Sequence, residues 1–193
     1  MMDANVLYAV LIILALSVAL NLKLTFSLLS SVRNMMAAQG QDFTLPVGEV
    51  VPEVRGKPMT GGKKAVFTAG PRPAVLLFLS SGCPKCKSKL PEIGRMLARA
   101  DEAGLDIWLV SREAKWRLRR FLRGTALPGV TMRVSTDEFK VLNPTMTSPY
   151  YMFLNESGSL EAGGMIGDEN WLSFREQMDD AEVETQTEEE IAA

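Results

Sequence analysis

Cys83 and Cys86 are the only cysteines in a chain of 193 residues that contains no histidine. Without imidazole there is no Ser-His-Asp or Cys-His catalysis within the chain, and no histidine-ligated zinc site. With two thiols there is neither a four-cysteine metal centre nor a multi-disulfide scaffold. A C-x-x-C pair in a strand–helix setting reads instead as a thiol redox motif. The run is Ser80-Ser81-Gly82-Cys83-Pro84-Lys85-Cys86. Ser80 to Gly82 turn the chain, and Cys83 lands at the start of a helix. Pro84 suits the first helical position, where its missing N–H would have been unpaired anyway. Free backbone N–H groups and the positive end of the helix dipole favour a thiolate at Cys83. Lys85 and Lys87 add positive charge. Cys86 lies one turn further on, more buried and close enough to form a disulfide with Cys83. Cys83 is therefore expected to attack and Cys86 to resolve, with Gly82 leaving room for close approach. A copper-binding pair or half a zinc site is the competing use of two thiols. The eleven methionines fall mostly in apolar stretches and read as core filler. No metal and no cofactor is expected.

A second feature lies 65 residues downstream of Cys83. Ser148-Pro149 directly precedes the apolar run Tyr150 to Leu154. A proline at the start of a strand is either an ordinary trans residue or the site of a cis bond. In the second case the Ser148 backbone could lie beside the cysteines and dock an extended substrate segment.

The elements that must position these residues follow from hydrophobic pattern. Residues 30–48 read as a polar connector with a helical start near Ser31–Ala38. The stretch 50–64, rich in Gly and Pro, predicts turns with short edge strands. Residues 74–79 (AVLLFL) and 105–110 (LDIWLV) are continuous apolar runs, as in strands buried on both faces. Helices are predicted at 84–103 and 112–123. A short strand follows at 132–135, a helical turn at 137–142, a strand at 150–154 and a hairpin partner at 159–165. Asp168 is placed to cap a last helix running to about Met178. The order is β-α-β-α-β and then β-β-α: an α/β class with a mixed sheet and helices on both faces.

With these elements in place, the chain resembles the thioredoxin fold. The carriers are the strand leading into Cys83-Pro84-Lys85-Cys86, Pro91 inside the following helix, and Ser148-Pro149 before an antiparallel hairpin. It is more closely similar to the membrane-anchored thioredoxin-like proteins of the TlpA/ResA and MauD type. The matching stretches are LLFLSSGCPKCKSKLPEI (76–93) and LNPTMTSPYYMFLNESGSLEAGG (142–164). The resemblance implies a protein-disulfide oxidoreductase or isomerase facing the bacterial periplasm. It would act on a cysteine-bearing client and be served by an upstream thiol–disulfide partner. For the MauD type that role belongs to methylamine dehydrogenase maturation. Ser148 and Pro149 would then orient the client chain. The implied domain spans 49–178. The chain departs from thioredoxin proper in two respects: Pro84-Lys85 stands between the cysteines in place of Gly-Pro, so thioredoxin's potential does not carry over, and the strand 74–79 carries no acid. Glu92 is the candidate proton acceptor by helical spacing.

The ends are distinct. Val6 to Leu20 is uncharged, and apolar residues continue to Leu29 around Asn21 and Lys23. With Lys23 snorkelling, residues 4–26 are long enough to cross a bilayer. The Met-Met-Asp start and the lack of a small-x-small cleavage site favour an uncleaved single-span anchor at 1–29 over a signal peptide. Lys23 and Arg33 follow the span, so the positive-inside bias would put the body in the cytoplasm. The resemblance points the other way, to an inner-membrane protein with a periplasmic domain. From Asp179 to Ala193 there are seven acids and no base, while the preceding 178 residues carry 21 bases against 16 acids. The tail 179–193 is expected to be disordered.

Six bases crowd residues 112–123 (Arg112, Lys115, Arg117, Arg119, Arg120 and Arg123) against one acid, Glu113. They read as a solvated helix face or as a docking surface for an acidic partner or anionic headgroups. Nucleic acid is not expected, because no recognised motif accompanies the charge. Trp108, Trp116 and Trp171 are expected in or beside the core. Two other functions compete. One is a non-catalytic assembly module with a static disulfide or a transient metal at the cysteines. The other is a peroxide reductase, for which Ser80 is a poor match.

Overall fold

The computed structural model describes residues 45–179 together with Leu14, Ser17, Val18, Asn21, Leu22, Lys23 and Thr25. The chain divides into two units, Met1–Phe43 and Thr44–Ala193. In the first, the described residues are helical. Leu14, Val18 and Leu22 stand exposed at four-residue spacing, and the Thr25 hydroxyl donates to the Asn21 carbonyl at 2.8 Å. Among the described residues no helix is long and apolar enough to cross a membrane. The expected anchor, connector and tail lie largely outside the described residues.

The second unit holds a seven-stranded mixed sheet. Its strands are β1 (Arg55–Pro58), β2 (Ala65–Val66), β3 (Ala74–Phe78), β4 (Asp106–Ser111), β5 (Thr131–Arg133), β6 (Tyr150–Leu154) and β7 (Leu160–Met165). The order across the sheet is β2-β1-β5-β4-β3-β6-β7. Strands β3, β4 and β5 are parallel, β6 runs antiparallel to β3, and β7 runs antiparallel to β6. The helices are α1 (Pro84–Arg99), α2 (Lys115–Phe121), α3 (Thr136–Leu142) and a closing helix α4 over 169–179.

All five residues of β3 are buried, which explains its continuous apolar sequence. Alternate side chains leave a strand on opposite faces. Val75 and Leu77 join Leu90, Ile93 and Met96 of α1 and Trp171 of α4 in one core cluster. Ala74, Leu76 and Phe78 join Phe139 and Leu142 of α3 in the other. Each fully buried Leu or Phe contributes about 2 kcal/mol of transfer free energy, so both faces need a helix to cover them. Asp168 caps α4 as the sequence predicts. Its Oδ1 accepts from the Trp171 backbone N–H at 2.9 Å and from the Tyr151 hydroxyl at 3.0 Å.

Several expected boundaries move. α1 stops at Arg99 rather than 103, because Gly104 takes φ 62° and the Leu105 N–H bonds back to the Ala100 carbonyl at 2.8 Å. α2 is shorter than 112–123: Arg112 and Glu113 stay in the loop, and Ala114 is the N-cap. A 3-10 turn, Leu127–Val130, leads into β5, and β2 falls just beyond the segment expected to hold edge strands. α3 has two turns rather than one, fixed by a capping box between Ser135 and Glu138. Trp171 is fully buried, but Trp116 is 64% exposed and is not part of the core.

Candidate active site

The sheet's topology brings the two predicted site segments together. β3 and β6 are antiparallel neighbours with Phe78 paired to Tyr150. The chain leaving β3 toward the cysteines and the chain entering β6 from Ser148-Pro149 therefore meet at one end of the sheet. The Ser148–Pro149 bond is cis. The Cys83 thiol lies 3.8 Å from the Ser148 carbonyl oxygen, a contact within reach of an S–H donor.

Helix periodicity decides how the two cysteines differ. Cys86, Leu90, Ile93 and Met96 occupy one stripe of α1, and all are buried. Cys86 heads that stripe and is fully inaccessible. Cys83, one turn earlier, is the N-cap residue with extended backbone (φ −98°, ψ 114°) and is half-buried. Its sulfur accepts the Cys86 backbone N–H at 3.3 Å, the capping role that Ser or Asp fills elsewhere. Pro84 follows at the first helical position. Both cysteines are free thiols. The Cys86 sulfur accepts from the Ser80 N–H at 3.5 Å. Burial, followed by the neighbouring Cys83 thiol, pushes the Cys86 thiol up from 9.0 to about 11. Gly82 and Lys85 are exposed beside the pair. A side chain at Gly82 would meet nothing within 4 Å, so no internal packing depends on its absence, and the approach to Cys83 is open on that side.

The Glu92 carboxylate is hydrogen-bonded to Trp171 and Lys89 and to neither thiol. Burial works to raise its pKa, but the Trp171 indole N–H at 2.7 Å and the Lys89 ammonium at 2.9 Å outweigh it and hold the carboxyl below its ordinary value. It ties α1 to α4 instead.

Two residues missed in the sequence shape the site. Glu113 accepts hydrogen bonds from the Ser81 N–H at 2.8 Å, from the Ser80 hydroxyl at 3.2 Å and from the Ser81 hydroxyl. It thus clamps the turn that delivers Cys83. Its own backbone is fixed by Ser111 Oγ, which accepts its N–H, and by Arg133 Nε, which donates to its carbonyl. Among six bases it had looked like a stray acid on a helix. The usable signal was its place just past the end of β4, because the ends of neighbouring parallel strands converge. The second residue, Asn143, is buried. Its amide donates to the Thr147 carbonyl at 2.8 Å and its oxygen accepts the Thr147 N–H at 3.1 Å, so it staples the loop that leads to Ser148. Between these two loops lies a cleft of about 90 Å³, with Ser80, Glu113, Met146 and Ser148 among its lining.

If the clamp positions Cys83, Glu113→Ala should slow the reaction of that thiol with a small aromatic disulfide about tenfold, the worth of a well-made hydrogen bond. Glu113→Gln keeps an acceptor for the Ser81 N–H and should recover most of the rate. Stopped-flow absorbance checks both, and equal losses in the two variants would mean that charge matters and the clamp does not.

No protein-family model matches the chain. Over 136 residues it is 32% identical to methylamine utilization protein MauD of Methylobacillus flagellatus, covering 68% of this chain and 61% of that protein. It is also 32% identical over 110 residues to MauD of Methylophilus methylotrophus, covering 57% of this chain and 49% of that protein. The chain thus spans about half to three fifths of the length of these curated relatives. Among solved structures, it resembles the thioredoxin domain of a thiol-disulfide oxidoreductase from Bacteroides vulgatus (TM-score 0.58, 18% identity, 70% of this chain and 99% of that one). A peroxiredoxin-like protein from Aquifex aeolicus superposes with TM-score 0.55 at 14% identity, over 72% of this chain and 88% of that one. The fold is therefore the thioredoxin fold, and the chain is similar to the MauD proteins.

Proposed function

We propose that this protein is a thiol–disulfide oxidoreductase that works through Cys83 and Cys86 on a cysteine-bearing client. The observation that carries the reading is the asymmetry of the pair: a half-buried sulfur at a helix N-cap and a fully buried one a turn behind it. In the reducing direction the Cys83 thiolate attacks one sulfur of a client disulfide. That S–S bond breaks, the leaving client sulfur takes up a proton, and a mixed disulfide forms on Cys83. Cys86 loses its proton and attacks the Cys83 sulfur. The client leaves as a dithiol, and a Cys83–Cys86 disulfide holds the oxidising equivalents. An upstream dithiol returns two electrons. The reverse sequence oxidises a client. Ser148 and Pro149 sit where an extended client segment could hydrogen-bond to the backbone.

The apolar run 6–20 supports a membrane tether, as does the exposed helical stripe of Leu14, Val18 and Leu22. The likeness to MauD supports a periplasmic client from methylamine use, such as an amine dehydrogenase. A membrane-impermeant maleimide applied to intact expressing cells tests the chemistry and the location together. Labelling only after brief reduction is the expected result. Labelling confined to lysed cells would put the domain in the cytoplasm. Absence of labelling in reduced lysates would remove the exchange reading and leave a non-catalytic module.

A further inference from the structure

Next to the cysteines runs a groove of about 220 Å³ lined by Ser81, Lys87, Trp116, Arg117, Arg120 and Phe121. It begins at the site, since Ser81 lies two residues before Cys83 and Lys87 four after it. Its lining carries three cations and no acid, and the nearby Glu113 carboxylate is taken up by the Ser80 and Ser81 donors. Among the described residues none of Lys87, Arg117 and Arg120 forms an ion pair, although the same domain pairs Lys64, Arg72 and Lys89 with acids. The Arg117 guanidinium lies 5.2 Å from the centre of the Trp116 ring, and that ring faces solvent, unlike the other two tryptophans. Cations without counter-charges beside exposed aromatic surface form a surface for carboxylates carried on a peptide.

We propose that this groove binds an acidic segment of the client, next to the cysteine being exchanged, and so selects clients by local charge. The inference rests on the exchange reading above and deepens it. A bilayer is the competing anionic partner, but a flat headgroup layer meets protruding side chains, whereas these line a depression that includes Ser81, in the turn leading to Cys83.

Two synthetic peptides of equal length test it, each closed by one internal disulfide. In one the disulfide is flanked by Asp and Glu, in the other by Asn and Gln. Second-order rates of reduction are measured with the full reduced chain in neutral detergent. The acidic peptide should react about tenfold faster at low salt. The advantage should vanish near 1 M salt, where the screening length is about 3 Å. The double variant Arg117→Gln/Arg120→Gln should lose most of it while keeping the neutral peptide's rate. Arg119→Gln removes the same kind of charge outside the groove and should leave it. Equal rates for the two peptides in the wild type would overturn the groove and leave the exchange reading standing, whereas no reaction with either would overturn that reading itself. If Arg119→Gln costs half as much as the double variant or more, a diffuse field replaces the groove. Phosphatidylglycerol vesicles that abolish the advantage at equal ionic strength, through binding lost in the double variant, would assign the surface to lipid and overturn the proposal.

Discussion

Cys83→Ser should lower disulfide turnover by about a thousandfold or more, while Cys86→Ser should leave a client covalently attached to Cys83. The two variants fail differently because the two sulfurs are placed differently. Cys83 is the half-buried one, so it alone can meet an incoming disulfide. A hydroxyl there has no low-energy anionic form at neutral pH, and losing a covalent nucleophile costs several orders of magnitude. Cys86 is fully buried and reaches only the Cys83 sulfur, which by then carries the client. Without it the first exchange proceeds and the second does not. Turnover of a disulfide peptide measures the first effect, and adducts on non-reducing gels the second. Adducts that accumulate in Cys83→Ser instead would reverse the assignment.

The resolving step should speed up about tenfold for each pH unit between 7 and 9. Burial first, and the adjacent thiol second, place Cys86 at about 11. Below that value the thiolate fraction, and with it the attack rate, grows in proportion to hydroxide. When Cys83 is capped its own thiol no longer contributes, but burial does, so the direction is unchanged. Capping Cys83 with thionitrobenzoate and following its release by absorbance reads the step directly. A rise that already bends over by pH 9, the ordinary thiol value, would show that Cys86 titrates like an exposed thiol. The same shift bears on stability. Because the reduced fold favours the neutral thiol, this contribution is fully present below about 9 and is lost as pH rises toward 11.

Sequence pattern went far on the elements and on the thiols, for physical reasons. A strand buried on both faces must be apolar throughout, so β3 and β4 were legible. Cys86 shares a helical stripe with Leu90 and Ile93, so its burial was legible too. The cis bond at Ser148–Pro149 was left open because both isomers suit a strand entry; strand pairing across the sheet decides what lies beside it. Glu113 and Asn143 were not legible. Each acts by hydrogen bonds to a loop, and such bonds leave no period in the sequence. The start of α2 was misplaced for the same reason: Ser111 and Arg133 hold the Glu113 backbone out of the helix. Trp116 was misjudged because a lone aromatic residue does not show which face of a short helix it occupies.

The register of β3 against β6 has one more consequence. Phe78 pairs with Tyr150 at the site end, and Ala74 with Leu154 at the other. Four residue steps separate these rungs, about 13 Å of sheet. The turn at 101–104, just before β4, therefore lies at the pole remote from the sulfurs, and Asp101, Glu102 and Ala103 are exposed there. Evolutionary drift is cheap at that pole, as are inserted residues, an epitope tag or a fused reporter. The opposite pole, where Ser80, Glu113 and Ser148 converge, has no such freedom, so lineages of this protein should lengthen at one end of the sheet and stay fixed at the other.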